Sequence, residues 1–177
     1  MLGLKKENKS LYLRRLIFGA VILVTALLQS TPGFFPSFFG AQAFLLIPAC
    51  ICIAMFEREI SGLFFGLFAG SLWDVCAPLS WGYNAIVLTI IAFACGALIK
   101  YIMRNNLVTA FLLCGCFVSL YCLLSWLLNI VFKGYSSAFY MLLTFYVPSA
   151  LYTLIFLPVY YFLIRFISKK FRFSKTR

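Results

Sequence analysis

The sequence predicts an all-α polytopic membrane protein, a bundle of six transmembrane helices, and three observations carry that prediction. Apolar residues make up 64% of the 177-residue chain and charged residues only 11%, with a mean hydropathy of +1.04, a balance unlike that of soluble domains. Charge-free stretches cover 16–56, 75–99, 105–132 and 134–164, and each meets or exceeds the roughly 20 residues needed to cross a bilayer core. Lys and Arg gather at the two ends of the chain and in alternate links between the apolar runs.

Pro, Gly and charge punctuate the chain into helices of roughly 11–30, 38–56, 60–77, 83–99, 106–132 and 138–164. The apolar run of the first follows Lys5, Lys6, Lys9, Arg14 and Arg15, a basic start that imitates a signal peptide. However, the small-x-small site at Ala41–Gln42–Ala43 lies too far beyond the run ending near Leu28, so the segment is expected to stay as a helix. The second contains Pro48 and is separated from the first by "STPGFFPS". "ERE" precedes the third, a Pro78–Gly82 turn the fourth, "KYIMRNN" the fifth and "KGYSS" the sixth. None of these links could hold a soluble domain, so residues 1–177 read as one integral-membrane domain with a basic head at 1–10 and a basic tail at 165–177.

Orientation follows from the basic residues, which are enriched in cytoplasmic loops. With both termini in the cytoplasm, fourteen of the 15 Lys and Arg lie inside and only Lys133 outside. A five-helix chain would put one basic end outside. The net charge of +11 therefore calls for no nucleic acid; it suits anionic lipid at the basic termini, where each basic residue contributes about 1 kcal/mol. The tail "RFISKKFRFSKTR" interleaves aromatics with its charges as an interfacial segment would.

Catalytic and metal chemistry find little to build on. The seven cysteines include Cys50/Cys52 and Cys114/Cys116, but residues two apart on a helix point about 200° away from each other. There is no His, and zinc-type spacings are missing, so the cysteines are expected to act as small apolar packing residues, with no metal or other cofactor. The acids are Glu7, Glu57, Glu59 and Asp74. Glu57 and Glu59 flank Arg58 in what reads as a solvated cytoplasmic turn, and Asp74 has no second membrane carboxylate to form a dyad. The chain is therefore expected not to be an enzyme.

The most informative stretch is "SGLFFGLFAGSLWD", residues 61–74, in which Gly62, Gly66, Gly70 and Asp74 recur every fourth position. Such residues share one side of a helix with about 40° of drift per step, and small-xxx-small ridges let helix backbones approach closely in lipid. Gly62, Gly66 and Gly70, with Asp74 and Gly82, are thus candidate helix-packing or partner-binding residues. Asp74 falls about a turn inside the outer boundary, where a carboxylate is costly unless paired, hydrogen-bonded or wet. Lys133, Trp73, Asn84 and the amides of the "PLSWGYN" turn are the possible partners. A structural cap, a contact with a partner protein and a substrate or ion site all remain open for it.

The basic head, the first helix, the Pro- and Phe-rich outer loop, the helix with Pro48 and "GLFFGLFAGSLWDVCAPLSWGYNAI" together resemble the bacterial rod shape-determining MreD family. That family carries a G-x-x-x-G-x-x-x-D-like segment followed by a short glycine-containing turn, matched by Gly66, Gly70, Asp74 and Gly82. The resemblance implies a multi-pass protein of the bacterial plasma (inner) membrane, a non-enzymatic subunit of the elongation machinery in cell-shape maintenance and sidewall peptidoglycan synthesis. The implied partners are an MreC-like protein, with MreB, RodA and a class B penicillin-binding protein. The rival reading is the substrate-binding S component of an energy-coupling-factor vitamin transporter, which would draw on Asp74, Asn84, Asn129 and Lys133 for a polar outer pocket. Its small-xxx-small docking motif has no obvious counterpart in "LIFGAVILVTALLQS". An unassigned small transporter or membrane enzyme is the third possibility.

Overall fold

The computed structural model describes residues 2–31, 43–76, 82–131 and 138–170, and among them every regular element is helical. The helices are α1 (Leu2–Ser30), α2 (Leu46–Phe56), α3 (Glu59–Cys76), α4 (Tyr83–Tyr101) and α5 (Leu107–Trp126), followed by α6 (Ala138–Met141) and α7 (Val147–Lys170). A π-helical turn, Leu127–Val131, extends α5, and a second, Leu142–Tyr146, joins α6 to α7 in one rod. Among the described residues, five helical segments are long and apolar enough to cross a membrane: Leu11–Ser30, α3, α4, α5 and Phe139–Lys170.

Three boundaries differ from expectation: the second helix, expected from about residue 38, begins at Leu46, and residues 43–45 before it are not helical. The first helix begins at Leu2 rather than near residue 11, so the basic head continues the helix, and the last runs to Lys170 and takes up the start of the basic tail. The π-turn at Leu142–Tyr146 stands just before Pro148. Proline has no N–H to give to the carbonyl four residues back, and a widened hydrogen-bond register absorbs that loss.

α2 is the most enclosed helix, since ten of its 11 residues are buried. A helix apolar all round must be covered all round, and α2 touches α1, α3, α4, α5 and α7. Pro48 falls in its first turn, where a missing N–H costs nothing. Side chains of the flanking helices satisfy the amides at its start: Phe44 N donates to Thr153 Oγ1 (2.9 Å) and Leu46 N to Gln29 Oε1 (3.0 Å). At its other end Glu57 pairs with Arg14, so α2 runs back along α1 from the level of residue 29 to that of residue 14. That stretch of α1 is about 22 Å long and α2 itself about 16 Å, at 1.5 Å per residue, with the Gln29 and Arg14 side chains reaching across the difference.

The remaining helices alternate in direction around this rod. Lys100 of α4 meets Glu59 of α3, Asn105 Nδ2 donates to Met55 O (2.8 Å), and Phe56 packs on Tyr161 of α7 with ring centroids 5.6 Å apart. These contacts gather Arg14, Arg58, Lys100, Arg104 and Arg165 at one end of the bundle. Outward faces carry exposed apolar side chains such as Leu16, Phe64, Ile90, Leu112 and Ile155, the inverse of a soluble surface and suited to lipid.

Candidate functional site

The glycine ridge lies in the seam between α3 and α4, the most extensive helix contact among the described residues. A Cβ built on Gly70 would stand 2.4 Å from Ala85 Cα and 2.5 Å from Asn84 O, and one on Gly66 2.6 Å from Leu88 O. At Gly62 the fit is looser, with Ala54 Cβ of α2 at 3.2 Å and Ala92 O at 3.3 Å. From the other side, a Cβ on Gly96 would come within 2.9 Å of Glu59 Cα. Hydrogen at these positions lets two backbones touch, which supplies dispersion contact where lipid offers no hydrophobic drive for helix association.

α4 presents its own small face to this ridge, formed by Ala85, Thr89, Ala92 and Gly96. The 4-3-4 spacing of these residues is the complement of the α3 glycines and is a signal in the sequence by which this face could be found. Thr89 donates its hydroxyl to Ala85 O (2.6 Å), so the one polar side chain in the strip is satisfied within its own helix.

One turn beyond Gly70, the same face of α3 brings Asp74 to the N-terminus of α4. Its Oδ2 accepts from Ala85 N at 2.9 Å and its Oδ1 from Asn84 N at 3.2 Å. These are two of the amides that a helix start leaves without intrahelical partners. The residue that would normally cap them is Gly82, which has no side-chain acceptor and holds a left-handed φ of +84°. Asp74 thus does from a neighbouring helix what an N-cap side chain does locally, with its negative charge at the positive end of the α4 dipole. Both carboxylate oxygens are engaged, and the side chain is half-buried.

Asn84 meets Asp74 through its backbone. Its side chain turns inward, where Oδ1 accepts from Tyr121 Oη at 2.7 Å in a buried contact. Trp73 stacks on Tyr121 with centroids 5.3 Å apart, and Phe44 packs against both at 5.7 and 5.4 Å. Tyr83 Oη and Ser125 Oγ lie 3.2 Å apart alongside. The polar atoms at this end of the bundle are therefore held within an aromatic cluster from α3, α4, α5 and the segment before α2. Lys133, the other expected partner of Asp74, lies outside the described residues, as does the side chain of Asn129.

At the basic end, the turn read as solvated is only partly so. Arg58 is exposed, but the Glu57 side chain is 2% exposed and lies 2.6 Å from Arg14 Nη2. The α1–α2 contact draws it inward, and the contact is an ion pair by distance without an in-line hydrogen bond. Cys50, Cys52, Cys95, Cys114 and Cys122 are buried among apolar side chains, whereas Cys76 and Cys116 are exposed. Among the described residues, no three His, Cys, Asp or Glu side chains converge.

Comparison of the chain with protein families, with characterised proteins and with solved structures gives no significant match.

Proposed function

We propose that this chain is a non-enzymatic scaffold subunit of a bacterial cell-elongation complex, acting like the MreD family by binding an MreC-like protein and other membrane partners. The observation that carries the reading is the unit formed by Gly66, Gly70, Asp74 and Gly82. The residues on which the resemblance rests are two that let α3 touch α4, a carboxylate that caps α4 and the turn residue at that cap. A pattern whose role is to fix the shape of a helix pair suits a protein that works by presenting a rigid membrane surface. The engagement of Asp74 and Asn84 with other groups of the chain supports the same reading, since neither is held ready for a substrate.

In this reading α2 and the residues before it make a further crossing, giving six spans with both termini and the basic end of the bundle in the cytoplasm of a bacterial plasma membrane. The positive-inside bias supports that orientation, and α2 supports the count by returning the chain along α1. MreB, RodA and a class B penicillin-binding protein are the further partners.

Mass spectrometry of proteins that co-purify with a tagged copy from gently solubilised native membranes tests the proposal. Recovery of an MreC-like protein with RodA or its penicillin-binding partner is the expected result. Recovery of a coupling subunit with paired ATPases would overturn it in favour of a vitamin-capture protein.

A further inference from the structure

At the basic end, α1 and α3 run side by side and enclose a groove of about 400 Å³ that is open to the surroundings and almost wholly apolar. Its walls are Leu16, Gly19 and Leu23 of α1 and Phe65 and Phe68 of α3, with Arg15 at the mouth. Nothing lies within 4 Å of where a Cβ on Gly19 would sit, so this glycine, unlike those of the α3 ridge, leaves space that no part of the described chain fills. Arg15 is exposed, and its Nη2 donates to a neutral partner, Ser61 Oγ, at 3.2 Å. The described carboxylates at this end, Glu57 and Glu59, are paired with Arg14 and Lys100. Arg15 stands about one turn inside the apolar span that begins at Leu11, a position suited to a basic side chain that reaches back to the headgroup level.

We propose that this groove holds one acyl chain of an anionic phospholipid whose phosphate is bound by Arg15. Charge complementarity selects the occupant. A guanidinium at the membrane boundary has a planar fork of donors matched to a phosphate, and a charge at that depth needs an opposite partner. The apolar floor beyond it suits hydrocarbon. A lipid supplies both parts in one molecule, whereas a partner helix would have to bring a carboxylate to the same height. The inference does not depend on the elongation-complex reading.

Native mass spectrometry of the purified full chain, titrated with phosphatidylglycerol or phosphatidylcholine in detergent, tests it. The wild type is expected to retain phosphatidylglycerol preferentially. Arg15→Gln should lower that retention by about fivefold, the effect of one basic residue at an anionic surface. Gly19→Leu, whose Cβ would meet nothing within 4 Å, puts a side chain into the groove and should lower retention of the same lipid while leaving the melting temperature unchanged. Ala20→Leu on the same wall serves if Gly19→Leu alters folding. Equal retention of the two lipids by the wild type, or an unchanged preference in the folded groove variants, would overturn the proposal. A groove variant that keeps its lipid but loses a co-purifying protein would overturn it too, by assigning the groove to a partner helix.

Discussion

Asp74 and Ala85 are joined across two helices by a 2.9 Å hydrogen bond from the Ala85 amide to the carboxylate, and Gly70 reaches the same residue one turn earlier, with room for no Cβ. Close approach and capping are thus consecutive steps along one face of α3. The glycine brings the α4 backbone near enough for the carboxylate to reach its first amides. Asp74→Ala is expected to destabilise the protein by about 2 kcal/mol, the loss of charged hydrogen bonds to a helix start. Asp74→Asn keeps one acceptor and should cost about half as much. Lys133→Ala should cost less than either, since two helix-start amides and the α4 dipole already stabilise the carboxylate. Thermal denaturation of the three purified variants in one detergent checks the order; a large effect of Lys133→Ala would show that the cap is not the main support of Asp74.

The ridge glycines should differ in their tolerance of a single methyl group. Ala at Gly70 or Gly66 would force backbone atoms apart, because the nearest contacts are Ala85 Cα at 2.4 Å and Leu88 O at 2.6 Å. Overpacking of this kind costs about 1–3 kcal/mol. At Gly62 contacts of 3.2 Å or more need only a small adjustment, and the helix preference for Ala over Gly, about 1 kcal/mol, offsets it. Melting temperatures should therefore fall for Gly70→Ala and Gly66→Ala but stay near the wild type for Gly62→Ala. Equal sensitivity at all three positions would contradict the graded approach of α3 to α4.

Tyr121 supports Asn84 from α5. Tyr121→Phe keeps the ring between Trp73 and Phe44 but removes the donor to Asn84 Oδ1, leaving a buried acceptor without its 2.7 Å partner. The expected cost is about 1–2 kcal/mol. Asn84→Leu combined with Tyr121→Phe should recover part of it, because both polar groups then leave together. Denaturation of the two single variants and the double variant measures this coupling.

What could be read from the chain beforehand follows from periodicity and its limits. Four-residue spacing placed Gly62, Gly66, Gly70 and Asp74 on one face, because that pattern depends only on helix geometry. It could not say which helix covers the face, although Ala85, Ala92 and Gly96 held the matching half. The "PLSWGYN" turn offered its amides as partners of Asp74, and that of Asn84 is one of them; that Ala85, just beyond the turn, supplies the second amide and that Asn84 turns its side chain elsewhere depend on where α4 starts, which spacing does not show. Glu57 was misjudged for a related reason. Its neighbours Arg58 and Glu59 suggest water, whereas its burial depends on Arg14, 43 positions earlier in the chain. Tyr121 gave no signal at all, since one tyrosine in an apolar helix has no spacing by which to be distinguished.

The pairing of Arg14 with Glu57 supplies the most stringent test of how α1 is docked. Both side chains are largely withdrawn from solvent, at 16% and 2% exposure, so removing one charge leaves the other buried and uncompensated. Breaking a buried pair in this way costs about 3–5 kcal/mol, while replacing both members with apolar groups of similar size is often neutral. Arg14→Met alone is therefore expected to destabilise the protein strongly, and Glu57→Leu added to it should restore most of the loss. Lys100 and Glu59, at 49% and 19% exposure, meet where water screens them, and Lys100→Met should have little effect. A double-mutant cycle followed by thermal denaturation separates the two pairs. If Glu57→Leu fails to rescue Arg14→Met, the arginine acts through something other than its partner, such as the lipid surface beside α1. If Lys100→Met proves as damaging as Arg14→Met, burial is not what distinguishes the two pairs, and the docking of α1 onto α2 loses its electrostatic explanation.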